Sequence, residues 1–119
     1  MIGISKEYNK MCIKKWGSSS QIIKCISELN ELGAVLCDYL LYGDKRDWKG
    51  ENKNLKSKIE NEIADVLITL NSLLLIFDEE QVSKFVTFKL LRLLDRLKEG
   101  DDVTPEEWWE IKKKLMSKK

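Results

Sequence analysis

From Val66 to Phe77 the chain runs through twelve residues, VLITLNSLLLIF, without a charge, and one turn before them stand Glu62 and Asp65. Such a run folds as a helix packed among other helices, because it is apolar around more than one face. It is too short, and with Thr69, Asn71 and Ser72 inside it too polar, to span a membrane. Two carboxylates at the edge of a buried helix are costly unless a proton or a cation balances them. Their position constrains both the fold and the chemistry.

What could balance them is narrowed by what the chain lacks. No histidine occurs among the 119 residues. That removes Ser-His and Cys-His nucleophilic machinery and the Glu-x-x-His ligand pairs of di-iron bundles. Acid–base or metal chemistry falls to carboxylates, lysines and tyrosines. Cys12, Cys25 and Cys37 lie in helical stretches with no Cys-x-x-Cys spacing. This argues against zinc and for buried free thiols in a reducing cytoplasm. The start, MIGISKEYNK, has no apolar stretch of the signal-peptide kind, so a cytoplasmic location is expected. Lys+Arg of 21 against Asp+Glu of 20 leaves almost no net charge, so neither a nucleic acid nor a membrane is expected as partner.

Punctuation along the chain predicts an all-α protein: an antiparallel bundle of four to five helices in one domain, 1–119. A first helix from about Ser5 to Trp16 stops at Gly17. Ser18 and Gln21 form a capping-box pattern opening a long helix to about Tyr42. GDKRDWKGENK reads as a surface loop, with Trp48 able to fold over a ligand. A second long helix runs from about Asn54 to Phe77, and Asp78 with Gln81 opens another to about Lys98. Thr104, Pro105 and Glu107 open a last helix over about 104–117. Its Trp108, Ile111 and Leu115 share a stripe that would dock on the bundle or on a partner.

The first long helix has its own acid pair, Glu28 and Glu31. Around Glu28 the apolar positions are Cys25, Leu29, Leu32 and Leu36; around Glu62 they are Ile59, Ile63, Val66 and Leu70, at the same offsets. Each pair therefore flanks an expected buried arc. In an antiparallel hairpin, level residues have numbers with a constant sum, and Glu28 with Asp65 gives the same sum as Glu31 with Glu62. One such pair alone is an ordinary solvated helix face. Both pairs in register imply four carboxylates at one level, an all-oxygen set suited to Mg²⁺, Mn²⁺ or Ca²⁺. Mg²⁺ commonly binds substrate phosphates beside one or two carboxylates, which points to phosphate chemistry.

Residues from about 14 to 98, including SELNEL, IENEIADV and KLLRLLDRL, resemble the MazG-like all-α nucleoside triphosphate pyrophosphohydrolases, in their short single-domain form. That family is marked by Glu-x-x-Glu on one helix and Glu-x-x-Asp on the next. The resemblance implies that Glu28, Glu31, Glu62 and Asp65 hold Mg²⁺, with Mn²⁺ an alternative. It also implies hydrolysis of a (deoxy)nucleoside triphosphate to the monophosphate and pyrophosphate. Ser27 stands where many relatives have a further acid, the spacer between the acid pairs is long, and the segment after Gly100 has no family counterpart.

In that chemistry water attacks the α-phosphorus, and Glu31 or Glu62 accepts its proton. Lys89 and Arg92, resembling a basic KxxR of the family, are phosphate candidates, with Arg96 on the same stripe. Gln21 and Trp16 are candidates for the base. Thr69 and Ser72 continue the face of Glu62 and Asp65, and Asn71 is a polar interruption of the apolar run; Asn71 and Ser72 are read equally as hydrogen-bonding groups at a subunit seam. The VLITLNSLLLIF helix has more apolar surface than one partner covers, and family members are commonly dimers or tetramers, so a homodimer or homotetramer is expected. The alternative is a catalytically silent helical oligomer serving as an interaction or regulatory module. A weaker third is a nucleic-acid binder using the basic fourth helix.

Overall fold

The computed structural model describes residues 6–43 and 55–117; Trp48 and the polar loop around it lie outside the described residues. Five helices follow in order: α1 (Lys6–Trp16), α2 (Ser18–Tyr42), α3 (Leu55–Ile76), α4 (Glu79–Glu99) and α5 (Pro105–Ser117). No strand occurs among the described residues. None of the described helices is long and apolar enough to cross a membrane.

The chain divides into two compact units, Met1–Phe77 and Asp78–Lys119. In the first, α2 packs along α3, and α1 packs against both. Gly17 ends α1, its N–H donating to the Ile13 carbonyl at 2.8 Å, with a φ of 88° that only glycine adopts without strain. The Ser18–Gln21 capping box does not form. Gly17 is the N-cap, without a side-chain cap, and Ser18 is already helical. Gln21 is engaged elsewhere, within hydrogen-bond reach of Ser72 on α3.

The seam of this unit departs from the expected arcs. Leu29, Leu36, Ile63 and Leu70 are exposed at 46%, 42%, 42% and 38%, whereas Glu28 and Glu62 are buried at 6% and 2%. The seam runs instead through Cys25, Glu28 and Val35 of α2 and Leu55, Glu62, Val66, Thr69 and Ser72 of α3. These positions are spaced by three, four or seven residues, which keeps them on one side of each helix. The acids thus sit in the helix–helix contact, not on its flank. With Asn9 and Cys12 of α1, five of the ten buried residues among those described in this unit are polar. That proportion marks a polar centre inside a bundle, since buried polar groups need partners to be tolerated.

In the second unit α4 packs against α5. Asp78 accepts from the Gln81 N–H at 3.1 Å to start α4. Thr104 and Glu107 satisfy one another's N–H groups at 3.1 Å each, a complete capping box ahead of Pro105. Trp108 docks within this unit: its indole N–H donates to Asp95 at 3.1 Å, and the Lys98 ammonium lies 4.1 Å from the ring centroid. Cys12 and Cys25 are free and buried as expected, but free Cys37 is exposed, because its position on α2 falls outside the seam.

Candidate functional site

The α2–α3 register is fixed by polar contacts. Ser72 Oγ lies 3.4 Å from Gln21 Oε1, and these residue numbers have the same sum as Glu28 with Asp65. At the level of the acids, oxygens of Glu28, Glu62 and Asp65 all lie within 4.8 Å of one another. Glu31 stays exposed and outside this group of three. It is nonetheless coupled to them: the charge of Glu28, then that of Glu62, raises the Glu31 carboxyl above the usual carboxylate range. Burial, followed by the charges of Glu28 and Glu62, raises Asp65 in the same way.

Two lysines that the sequence patterns did not single out are part of this arrangement. Lys24 Nζ is 3.1 Å from Glu28 Oε1, and Lys58 Nζ is 2.8 Å from Glu62 Oε1, each lysine one turn before its acid. Hydrogen bonds to Glu28 and Glu62 raise both ammonium groups above the ordinary lysine value. An i, i+4 lysine–glutamate pair is so common on helix surfaces that nothing in the sequence distinguishes these two. Only the burial of the acids does.

The second oxygens of the buried acids, Glu28 Oε2 and Glu62 Oε2, are themselves buried and have no hydrogen-bond partner among the described residues. Carboxylates some 5 Å apart repel by roughly 3 kcal/mol per pair at an effective dielectric of about 20. Helical lysine–glutamate pairs return about 0.5 kcal/mol each at exposed sites, and more when shielded. Protonation or a further cation would relieve the difference. Oxygen donors with unused lone pairs fit a hard divalent ion such as Mg²⁺ or Mn²⁺.

Beside the acids, α1, α2 and α3 form an open cavity of about 370 Å³ lined by Asn9, Trp16, Gln21, Lys24, Thr69 and Ser72, among others. Lys24 belongs to both cavity and acid cluster. Thr69 lines the cavity as well, its hydroxyl donating within its own helix to the backbone carbonyls of Asp65 at 3.2 Å and Val66 at 3.0 Å. Trp16 and Gln21 therefore come together in one recess adjoining the carboxylates. Asn9, from outside the stretch matched by the resemblance, forms part of it: its Oδ1 accepts from Ser72 Oγ at 2.9 Å. Ser72 thus bonds within its own chain, and Asn71 donates to the Leu67 carbonyl of its own helix at 2.8 Å. These contacts assign both polar side chains to the unit's interior and to α3 itself.

Lys89, Arg92 and Arg96 belong to the second unit, where with Leu93 they line a shallow groove along α4. Arg92 also lies 5.9 Å from the Phe88 ring centroid. The expected basic stripe is present on that helix.

Compared with family models, with curated proteins and with solved structures, the chain matches none of them.

Proposed function

We propose that this chain is a metal-dependent nucleoside triphosphate pyrophosphohydrolase of the MazG-like kind, with Glu28, Glu62 and Asp65 as ligands to Mg²⁺ or Mn²⁺. The observation that carries this reading is the pair of buried, unpartnered oxygens on Glu28 and Glu62, gathered with Asp65 beside a recess of nucleoside-compatible size and polarity. A divalent ion bound there supplies charge neutralisation at the phosphates and lowers the pKa of a coordinated water.

The chain's own residues have separable tasks. Glu31 is exposed, and its carboxyl is raised by Glu28 and Glu62, so it is suited to take the proton of the water that attacks the α-phosphorus. Glu62 is the second candidate for that task. Lys24 lines the recess and stands next to the acids, within range of the triphosphate. Lys89 and Arg92 of α4 are phosphate candidates by the resemblance alone. Trp16 and Gln21 face the recess as a stacking surface and an amide.

A homodimer or homotetramer belongs to the same reading. It is supported by the apolar side chains that α2 and α3 leave exposed, among them Ile26, Leu29, Leu36, Leu40 and Ile63. Those same side chains favour the second reading, a silent helical interaction module.

Pyrophosphate release from a panel of dNTPs and NTPs with Mg²⁺ decides between them. Activity on at least one nucleotide, lost in Glu62→Ala and Asp65→Ala, supports the hydrolase. Inactivity across the panel together with a melting temperature indifferent to Mg²⁺ leaves the module.

A further inference from the structure

The acid cluster carries cations of its own, placed with the same offset on both helices. Lys24 precedes Glu28 by one turn of α2 and Lys58 precedes Glu62 by one turn of α3, at 3.1 and 2.8 Å. Each lysine engages one oxygen of its glutamate and leaves the other buried without a partner. Among the described residues, these two ammonium groups balance two of the three clustered carboxylates, Glu28, Glu62 and Asp65, with the exposed Glu31 beside them.

We propose that Lys24 and Lys58 are built-in counter-ions that compete with metal for Glu28 and Glu62 and limit the cluster to one divalent ion per chain. This inference rests on the metal-dependent reading above. A second ion would have to displace an ammonium group from a buried carboxylate, which leaves that group without its partner. Lys58 has the stronger hold: its side chain is 27% exposed against 62% for Lys24, so solvent screens it less. In the metal-free chain the same pairs hold the Oε1 atoms of both glutamates and keep their Oε2 atoms available.

The test is Mn²⁺ binding to chelator-treated full-length protein, followed by calorimetry and by the paramagnetic resonance of free Mn²⁺. Methionine replaces lysine because it keeps an unbranched stem and removes the charge. Wild type is expected to bind one Mn²⁺ per chain. Lys58→Met should bind that ion about tenfold tighter and Lys24→Met about threefold tighter, as loss of a nearby positive charge requires. The double variant should take up a second ion, and Lys58→Arg should match wild type in stoichiometry and affinity. If Lys58→Met does not fold, the more exposed Lys24→Met decides alone.

Two ions on wild type, or unchanged or weaker binding in the methionine variants, overturns the inference. Should wild type hydrolyse nucleotides and bind one ion while those variants bind like it, only this inference falls. Should wild type bind no Mn²⁺ and release no pyrophosphate, the reading it rests on falls as well.

Discussion

Ser72 on α3 donates its hydroxyl to Asn9 Oδ1 on α1 over 2.9 Å, and both side chains are only 1% exposed. This bond fixes α1 against α3 at the floor of the recess. Neither group can turn to water, so losing either side chain costs the other a buried hydrogen bond, although Ser72 still has Gln21 Oε1 3.4 Å away. Asn9→Ala should lower the unfolding free energy by about 0.5–1.5 kcal/mol. Ser72→Ala removes the same bond and should cost a similar amount. Urea unfolding of the two single variants and the double variant measures both costs and the coupling between them.

A divalent ion should stabilise the fold. At a concentration one hundred times its dissociation constant, a ligand that binds only the native state adds about 2.7 kcal/mol. Melting curves with Mg²⁺ or Mn²⁺ against the same protein in EDTA should show the rise. Glu62→Gln should abolish it, whereas Glu106→Gln on α5 should not. An identical response in both variants would mean that binding occurs elsewhere.

Asp65 gives a pH dependence whose direction follows from its surroundings. Its carboxyl is raised by burial and by Glu28 and Glu62, so the folded chain binds a proton there more readily than the unfolded chain does. Stability contributed by this group therefore falls as pH rises through the window between its ordinary and its raised value. In EDTA at neutral pH, Asp65→Asn should melt higher than wild type, and the gap should narrow as the pH is lowered. The variant should also lose its response to Mg²⁺, so the more stable protein would be the inactive one.

The recess should govern KM more than kcat. Gln21 and Trp16 line it without belonging to the acid cluster. Loss of one hydrogen bond to a bound base is worth about 1 kcal/mol, so Gln21→Ala should raise KM roughly fivefold with kcat little changed. Trp16→Ala should do the same. A fall in kcat at constant KM would place these residues in the chemical step instead. Because Gln21 also meets Ser72, the melting temperature of each variant must be measured alongside its kinetics.

Helix boundaries were readable in the sequence wherever a local device set them. Gly17, Asp78 and the Thr104–Glu107 pair end or begin helices through contacts spanning four residues or fewer. The antiparallel register was readable too, because numbers with a constant sum need only helix periodicity. The inward face was readable only in part, since of the expected arcs Cys25 and Val66 are buried. Counting apolar residues places Leu29, Leu36, Ile63 and Leu70 inside, yet the seam turns Glu28 and Glu62 inward. Hydrophobic patterning takes a charge as a sign of exposure, and a lysine one turn away offsets that charge without leaving a distinctive motif. For the same reason Lys24 and Lys58 went unmarked. Asn9 escaped notice because its partner Ser72 is far away in sequence.

The acids meet across a seam between two helices whose connection, residues 44–54, contributes none of them. What matters is therefore angular phase. Each helix carries its own half of the cage. Inserting a single residue between Lys24 and Glu28, or between Lys58 and Glu62, rotates one half relative to its clamp by about 100° and dismantles the pairing. The two rods thus tolerate no shift of phase inside either lysine–glutamate step.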